Sequence, residues 1–259
     1  IDVAATTRGD VITLTAGLGG APGKAAGLAL STNTFVGITR ATVGNGALLN
    51  QRNQAAQRAV RVAAWDQTDW INTVGGVGLA GGGGGGGALD VNTVVKTVEA
   101  VLNGTVTADT DVDVSAGSEQ NILTASFGGS GTGGGGAAGG GSLLTVKNNT
   151  LAVIGRHADG DAASAVNAVV LSLGNVRVHA SDVTDSVLLA GGAAAAGGKG
   201  LGAGVGVTTF AGTTRALIDR NARVTALGQA APSAFMDGGV SLSIPILADL
   251  VNDLNDPRV

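Results

Sequence analysis

The chain has 259 residues, a net charge of −4 and 46 glycines, and only 13% of its residues are charged. This balance argues against a nucleic-acid-binding domain, which needs a basic surface stripe, and against a disordered chain, which is usually polar and highly charged. No apolar run reaches the roughly 18 residues of a membrane helix. The absence of cysteine excludes disulfides and cysteine-ligated zinc.

Large side chains are scarce, with four Phe, two Trp and no Tyr. A wide hydrophobic core is therefore not expected. A fold is favoured in which backbones approach closely and β-branched residues cover a pleated surface. Because the chain starts at Ile1 without a Met or a signal peptide, we expect an internal fragment or a processed product of a longer precursor.

In chain order, a block of alternating apolar and polar residues recurs four times, starting near residues 29, 88, 144 and 204. Each copy carries an alanine at a matched position, namely Ala41, Ala100, Ala152 and Ala216. Successive alanines are separated by unequal intervals of about 50–65 residues, and self-similarity of this kind is the signature of a repeat architecture. The chain is therefore predicted to be a repeat protein whose unit tolerates insertions.

Glycine-rich runs precede the blocks, at residues 17–27, 75–87, 128–141 and 191–206. A flexible linker is the usual interpretation of such composition. These runs, however, lie at the same phase of every repeat and contain Ala, Leu and Val. We predict glycine- and alanine-rich strands at places where two backbones or two sheets pack closely.

A second alternating marker follows each block, at residues 60–64, 112–116, 176–180 and 222–226. Alternation with period two is typical of a half-buried strand. Residues 11–16 have the same character and are interpreted as the tail of an earlier, truncated copy.

These patterns predict an all-β fold, a right-handed parallel β-helix of about four imperfect repeats over residues 1–230. Residues 231–259 are predicted to be a C-terminal cap or an inter-subunit connector with a short helix, since solenoid ends need atypical caps. We expect more than one rung per repeat, hence about a dozen rungs and a rod on the order of 60 Å long. A β-sandwich and a bundle of polyglycine II helices are the alternatives.

Asp109, Asp111 and Asp113 alternate along the chain and would line one face of a strand. They are the candidates for a Ca²⁺ site, because clustered carboxylate oxygens suit that ion; an acidic surface that blunts a sheet edge is the other interpretation. The two histidines fall in different repeats. No catalytic or cofactor-binding residues are predicted, and the chain is not expected to be an enzyme.

Trp65 and Trp70 bracket residues 66–69, which have the composition of a turn. The two rings are candidates for binding a partner or a sugar, and packing against a thin glycine-rich sheet is the alternative. Asn33 and Asn92 occupy matched positions in two repeats. They are predicted to stack as a hydrogen-bonded ladder between coils.

The sequences at residues 87–94, 112–116 and 202–207 resemble the repeats of leukotoxin-type filamentous adhesins and filamentous haemagglutinin-like exoproteins of Gram-negative bacteria. The resemblance covers roughly residues 11–228. It implies a secreted, surface-attached β-helical stalk without an active site.

We therefore expect a structural, extracellular β-solenoid that serves as an adhesin stalk or filament building block in cell contact or biofilm. One alternative is a self-assembling fibre subunit joined by strand exchange or end-to-end stacking. Another is a polysaccharide-binding or polysaccharide-cleaving β-helix. Self-association and a host or cell-surface ligand are the expected interactions, with no nucleic acid and no membrane span.

Overall fold

The structure is a computed structural model that describes residues 1–50, 59–156, 168–219 and 221–228. Over these ranges the chain forms strands and no helix. The strands are β1 (Asp2–Ala21), β2 (Ala25–Val43), β3 (Leu48–Leu49), β4 (Val60–Ala80), β5 (Gly84–Leu102), β6 (Thr105–Ala108), β7 (Val112–Thr132), β8 (Gly136–Ile154), β9 (Val169–Ser172), β10 (Val176–Ala196), β11 (Gly200–Ile218) and β12 (Arg223–Ala226).

The strands form three parallel sheets. Sheet A has the order β1-β4-β7-β10, sheet B β11-β8-β5-β2, and sheet C β12-β9-β6-β3. The chain visits sheets A, B and C in turn, so three consecutive strands make one coil: coil 1 is β1–β3 and coil 4 is β10–β12. This is the predicted all-β parallel β-helix. The sandwich alternative is wrong, because a sandwich is built from antiparallel sheets.

The predicted repeat spacings are confirmed by the strand register. Ala41 pairs with Ala100, which pairs with Ala152, which pairs with Ala216. The expected number of rungs is wrong, however, because each repeat is a single coil. β4 is 21 residues long, roughly 70 Å at about 3.3 Å per residue, whereas four coils stack over about 15 Å. The long dimension of the described solenoid therefore runs along the strands.

Three of the four alternating markers lie in one sheet, and the fourth lies in another. Residues 60–64, 112–116 and 176–180 pair with one another in sheet A, as expected. Residues 223–226 instead form β12 in sheet C and pair with β9. Residues 11–16 are not a truncated copy, since they lie in mid-strand of β1 and pair with residues 70–75. Period-two alternation reports a half-buried strand but not the sheet to which it belongs.

The interior of each coil is a wedge that narrows from sheet C towards the turn between sheets A and B. At the wide end, a hydrophobic core of small and branched side chains includes Val43, Val62, Leu102 and Ile154. At the narrow end, sheets A and B are joined in every coil by short turns, at residues 22–24, 81–83, 133–135 and 197–199. Beyond Trp70 the interior side chains become smaller towards this end, through Val74 and Ala88 to the glycines.

At the narrow end the two sheets are in backbone contact. A Cβ placed on Gly76 or Gly86 would lie less than 3.0 Å from a backbone carbonyl oxygen of the facing sheet, that of Gly87 or Gly129 respectively. Glycine is needed here for close approach, because no side chain fits between the backbones. The glycine runs are strand segments on either side of the turn, as predicted, and the linker interpretation is wrong for these residues.

The predicted C-terminal cap at residues 231–259, with its short helix, lies outside the described residues. Within the described ranges, no helix is long and apolar enough to cross a membrane.

Candidate functional site

A buried ion pair occupies the interior of coil 2. Strand alternation points Asp66 of β4 and Lys96 of β5 inwards, and their side chains are 0% and 1% exposed. Lys96 Nζ contacts Asp66 Oδ1 and lies 2.5 Å from the Thr68 hydroxyl oxygen. The Thr39 hydroxyl donates to Asp66 Oδ2 at 3.0 Å. Both charges are thus satisfied inside the coil, which a buried ion pair requires.

Hydrogen-bonded side chains at the same depth continue into coils 3 and 4. Gln120 Nε2 donates to Asn148 Oδ1 at 2.7 Å. Asn148 Nδ2 donates to Asp182 Oδ1 at 3.2 Å and to the Thr184 hydroxyl at 2.9 Å. Burial raises the pKa of Asp182, and the hydrogen bonds from Asn148 and others oppose that rise in part.

On coil 4 this layer opens into a cavity between β10 and β11 with a volume of about 370 Å³. Its lining includes the polar side chains of Asp182, Thr184 and Thr214 and the ring of Phe210. The cavity is the interior of the wedge, open at the last described coil. The cavity therefore results from the open end of the solenoid and is not by itself evidence of a ligand-binding pocket.

A second polar layer lies nearer to the glycine turn and centres on Asp90. Asn72 Nδ2 donates to Asp90 Oδ1 at 2.7 Å, and Asn92 Nδ2 donates to Asp90 Oδ2 at 2.5 Å. Burial is the dominant influence on Asp90 and raises the pKa of its carboxyl group, while these hydrogen bonds lower it.

The predicted asparagine ladder is confirmed for one step, since Asn33 Nδ2 donates to Asn92 Oδ1 at 3.0 Å. In coil 3 the position equivalent to Asn92 is Leu144. The ladder therefore links coils 1 and 2 and ends there.

Trp65 and Trp70 lie on opposite faces of β4, because an odd number of steps separates them on an alternating strand. Trp70 is 2% exposed and packs inside with Val94, Ile122 and Leu144. Its ring meets the ring of Phe35 edge-to-face at 5.8 Å. Trp65 is half-buried on the outer face, where its ring covers Gly117. The two rings do not form one binding platform.

The predicted turn at residues 66–69 is wrong, since these residues lie within β4. Aspartate is depleted from strands by its preference for turns. Here the Asp66 carboxylate is held inside by Lys96 and two threonine hydroxyls, which offsets that preference.

Asp109, Asp111 and Asp113 do not line one face of a strand. Asp109 lies in a bend and Asp111 in the loop before β7, and only Asp113 is in a strand. Asp111 Oδ1 accepts a hydrogen bond from the Asn175 backbone N–H at 2.7 Å. Among the described residues, no group of three or more His, Cys, Asp or Glu side chains could hold a metal ion.

The Lys96–Asp66 pair and the Asp90 cluster were not predicted. The signal was present, because the alternation that begins at Val60 places Asp66 on the inner face if it is continued along the chain. The same alternation through β5 places Asp90, Asn92 and Lys96 inside with Ala88 and Val94. Because charged side chains are seldom fully buried, the alternation alone did not indicate buried charges at these positions.

Comparison with protein-family models, with curated proteins and with solved structures gave no match. No matched protein therefore indicates a function for this chain. In the part of the chain that the structure describes, polar side chains converge in the interior of the coils, where they bond chiefly to one another.

Proposed function

We propose that this chain is a non-catalytic structural segment, part of an extracellular stalk or filament. The observation that carries the proposal is that the buried polar groups at the centre of the coils hold neighbouring coils and sheets together. Asp66 is matched by Lys96, and Asp90 by Asn72 and Asn92. Groups used in this way position strands and are not free to bind or transform a substrate.

The pairing between coils also supports a structural role. β4 pairs with β7, and β5 with β8, along the whole length of each strand in uninterrupted parallel register. Each coil satisfies the backbone groups of its neighbour, so the assembly grows by repetition without a larger core. The resemblance to filamentous adhesins supports an extracellular, surface-attached setting.

An assay of polysaccharide cleavage tests this proposal against an enzymatic β-helix. Incubated with neutral and acidic polysaccharides, the purified chain is expected to release no more reducing ends than buffer. Asp111→Asn and Asp109→Asn serve as a matched pair, because Asp111 accepts hydrogen bonds from Asn175 whereas Asp109 lies in an exposed bend. Cleavage that is lost in Asp111→Asn and kept in Asp109→Asn would contradict the structural role.

A further inference from the structure

The two ends of the described solenoid expose long edge strands. β1, β2 and β3 pair on one side only, and so do β10, β11 and β12, within the described residues. β1 is 20 residues long, and β10 is 21 residues long. An edge strand of this length presents a row of unpaired N–H and C=O groups, which is a template for pairing with another strand.

The strands of coil 1 and coil 4, which form the two edges, match each other in register. Through the strand register, Arg177 is equivalent to Asp2 on sheet A, Gly200 to Ala25 on sheet B, and Arg223 to Leu48 on sheet C. The difference in residue number is the same for all three pairs, so the turns of coils 1 and 4 have equal lengths. Coil 1 of a second copy can therefore be placed on coil 4 in register on all three sheets at once.

The interior side chains at the two edges also match. In this register Phe210 lies next to Phe35 of the second copy, Ala216 next to Ala41, and Ile218 next to Val43. Phe210 is 52% exposed in the single chain and borders the open cavity on coil 4. Coil 1 of a second copy would cover this cavity and continue the core, as coil 2 covers coil 1.

An outer-face column of sheet A supplies charge complementarity. Asp2, Arg61, Asp113 and Arg177 alternate in sign along it. Arg61 lies 4.0 Å from Asp2 Oδ2 and 3.9 Å from Asp113 Oδ2. A second copy would place its Asp2 beside Arg177 and so continue the alternation.

The same register brings Asp10 of the second copy next to Asp185, its Arg40 next to Arg215, and its Lys24 next to Lys199 at the turn. These like-charged neighbours oppose stacking. A like-charged pair already exists within the chain, where Asp10 lies opposite Asp69, and Asp69 is compensated by a hydrogen bond of 2.7 Å from Asn121. Stacking therefore depends on the backbone pairing over three sheets and on the apolar matches in the interior, which must outweigh these three contacts.

We propose that the chain stacks head to tail on a second copy of itself, with the edge of coil 4 paired to the edge of coil 1 in the register that places Asp2 beside Arg177. This inference rests on the proposed structural function and names its partner. A head-to-tail contact of this kind does not close on itself, so it generates a filament.

Engineered cysteines test the register directly, because the chain has no cysteine of its own. Thr6 and Ser181 are equivalent outer-face positions of coils 1 and 4. Stacking would bring them about 4.8 Å apart, within the range of Cα separations that a disulfide accepts. Thr6→Cys and Ser181→Cys chains, mixed and oxidised, are expected to form a disulfide-linked dimer that neither variant forms alone.

Ala4→Cys is the matched control, since it is the neighbouring position on the same face of β1. This offset lengthens the Cα separation from Ser181 to roughly 8 Å, beyond disulfide reach. Cross-linking by Ala4→Cys as efficient as by Thr6→Cys, or disulfide dimers of Ser181→Cys alone, would overturn the proposal.

A mixture that stays monomeric by sedimentation at high concentration, without cross-links, would also overturn the proposal and would mean that something else covers these edges. That outcome leaves the structural function standing, because the polysaccharide assay tests that function independently.

Discussion

Gly76→Ala is expected to destabilise the fold by about 2–3 kcal/mol, as overpacking in a filled interior does. The added Cβ would lie less than 3.0 Å from the carbonyl oxygen of Gly87 in the facing sheet and 2.9 Å from that of Gly27. Both obstacles are backbone atoms of paired strands, so no flexible side chain can move aside. Sheets A and B would have to separate locally. Urea unfolding monitored by circular dichroism measures the loss in the free energy of unfolding.

Gly75→Ala is the matched control, one residue earlier on the same strand and facing outwards. Its Cβ would come no closer than 4.0 Å to another group, the Phe127 carbonyl oxygen. Alanine in a strand is favoured over glycine by roughly 0.5–1 kcal/mol, so this variant is expected to be as stable as the wild type or slightly more stable. Equal destabilisation by both variants would show that the two sheets do not meet at Gly76.

Lys96→Met is expected to cost about 3–5 kcal/mol, because it leaves Asp66 as a buried charge without its cation. Asp66→Asn should cost a similar amount, since it leaves the Lys96 ammonium inside the coil with a neutral partner. Lys147→Met is the control, because Lys147 points outwards from β8 and surface substitutions usually stay within about 0.5 kcal/mol. Denaturant midpoints of the three variants provide the comparison.

The double variant Lys96→Met/Asp66→Asn tests whether the two residues act as a coupled ion pair or contribute to stability independently. Removing both charges leaves neutral side chains of similar size, so most of the lost stability should return. The double-mutant cycle is then expected to give a coupling energy of at least about 2 kcal/mol. Additive losses would contradict the pairing of Lys96 with Asp66.

The features of the fold that could be predicted were those whose sequence signal recurs in every repeat. The matched alanines Ala41, Ala100, Ala152 and Ala216 give the coil spacing, since stacked coils place equivalent residues side by side. The glycine runs could be assigned to closely packed strands because they recur at one phase. A single copy of either signal would have been indistinguishable from a linker or a loop.

The number of coils per repeat could not be predicted, because the repeat length does not reveal how many turns divide it. Strands of about 20 residues are also far longer than the usual five or six. The burial of the charged side chains Asp66 and Lys96 could not be predicted for another reason. Lys96 has glycine at the equivalent positions in coils 1 and 4, Gly37 and Gly212, so the repeat gives no second example of an inward lysine.

Pulling a single molecule from its two ends tests the central claim most directly, namely that equivalent residues stack coil upon coil. Coils that depend only on their neighbours should detach one at a time. Each expected increment is one coil of roughly 50–65 residues, which is about 180–230 Å of extended chain at about 3.6 Å per residue. A single event that releases the whole chain, or extension without resistance, would contradict the stacked-coil structure and the structural role inferred from it.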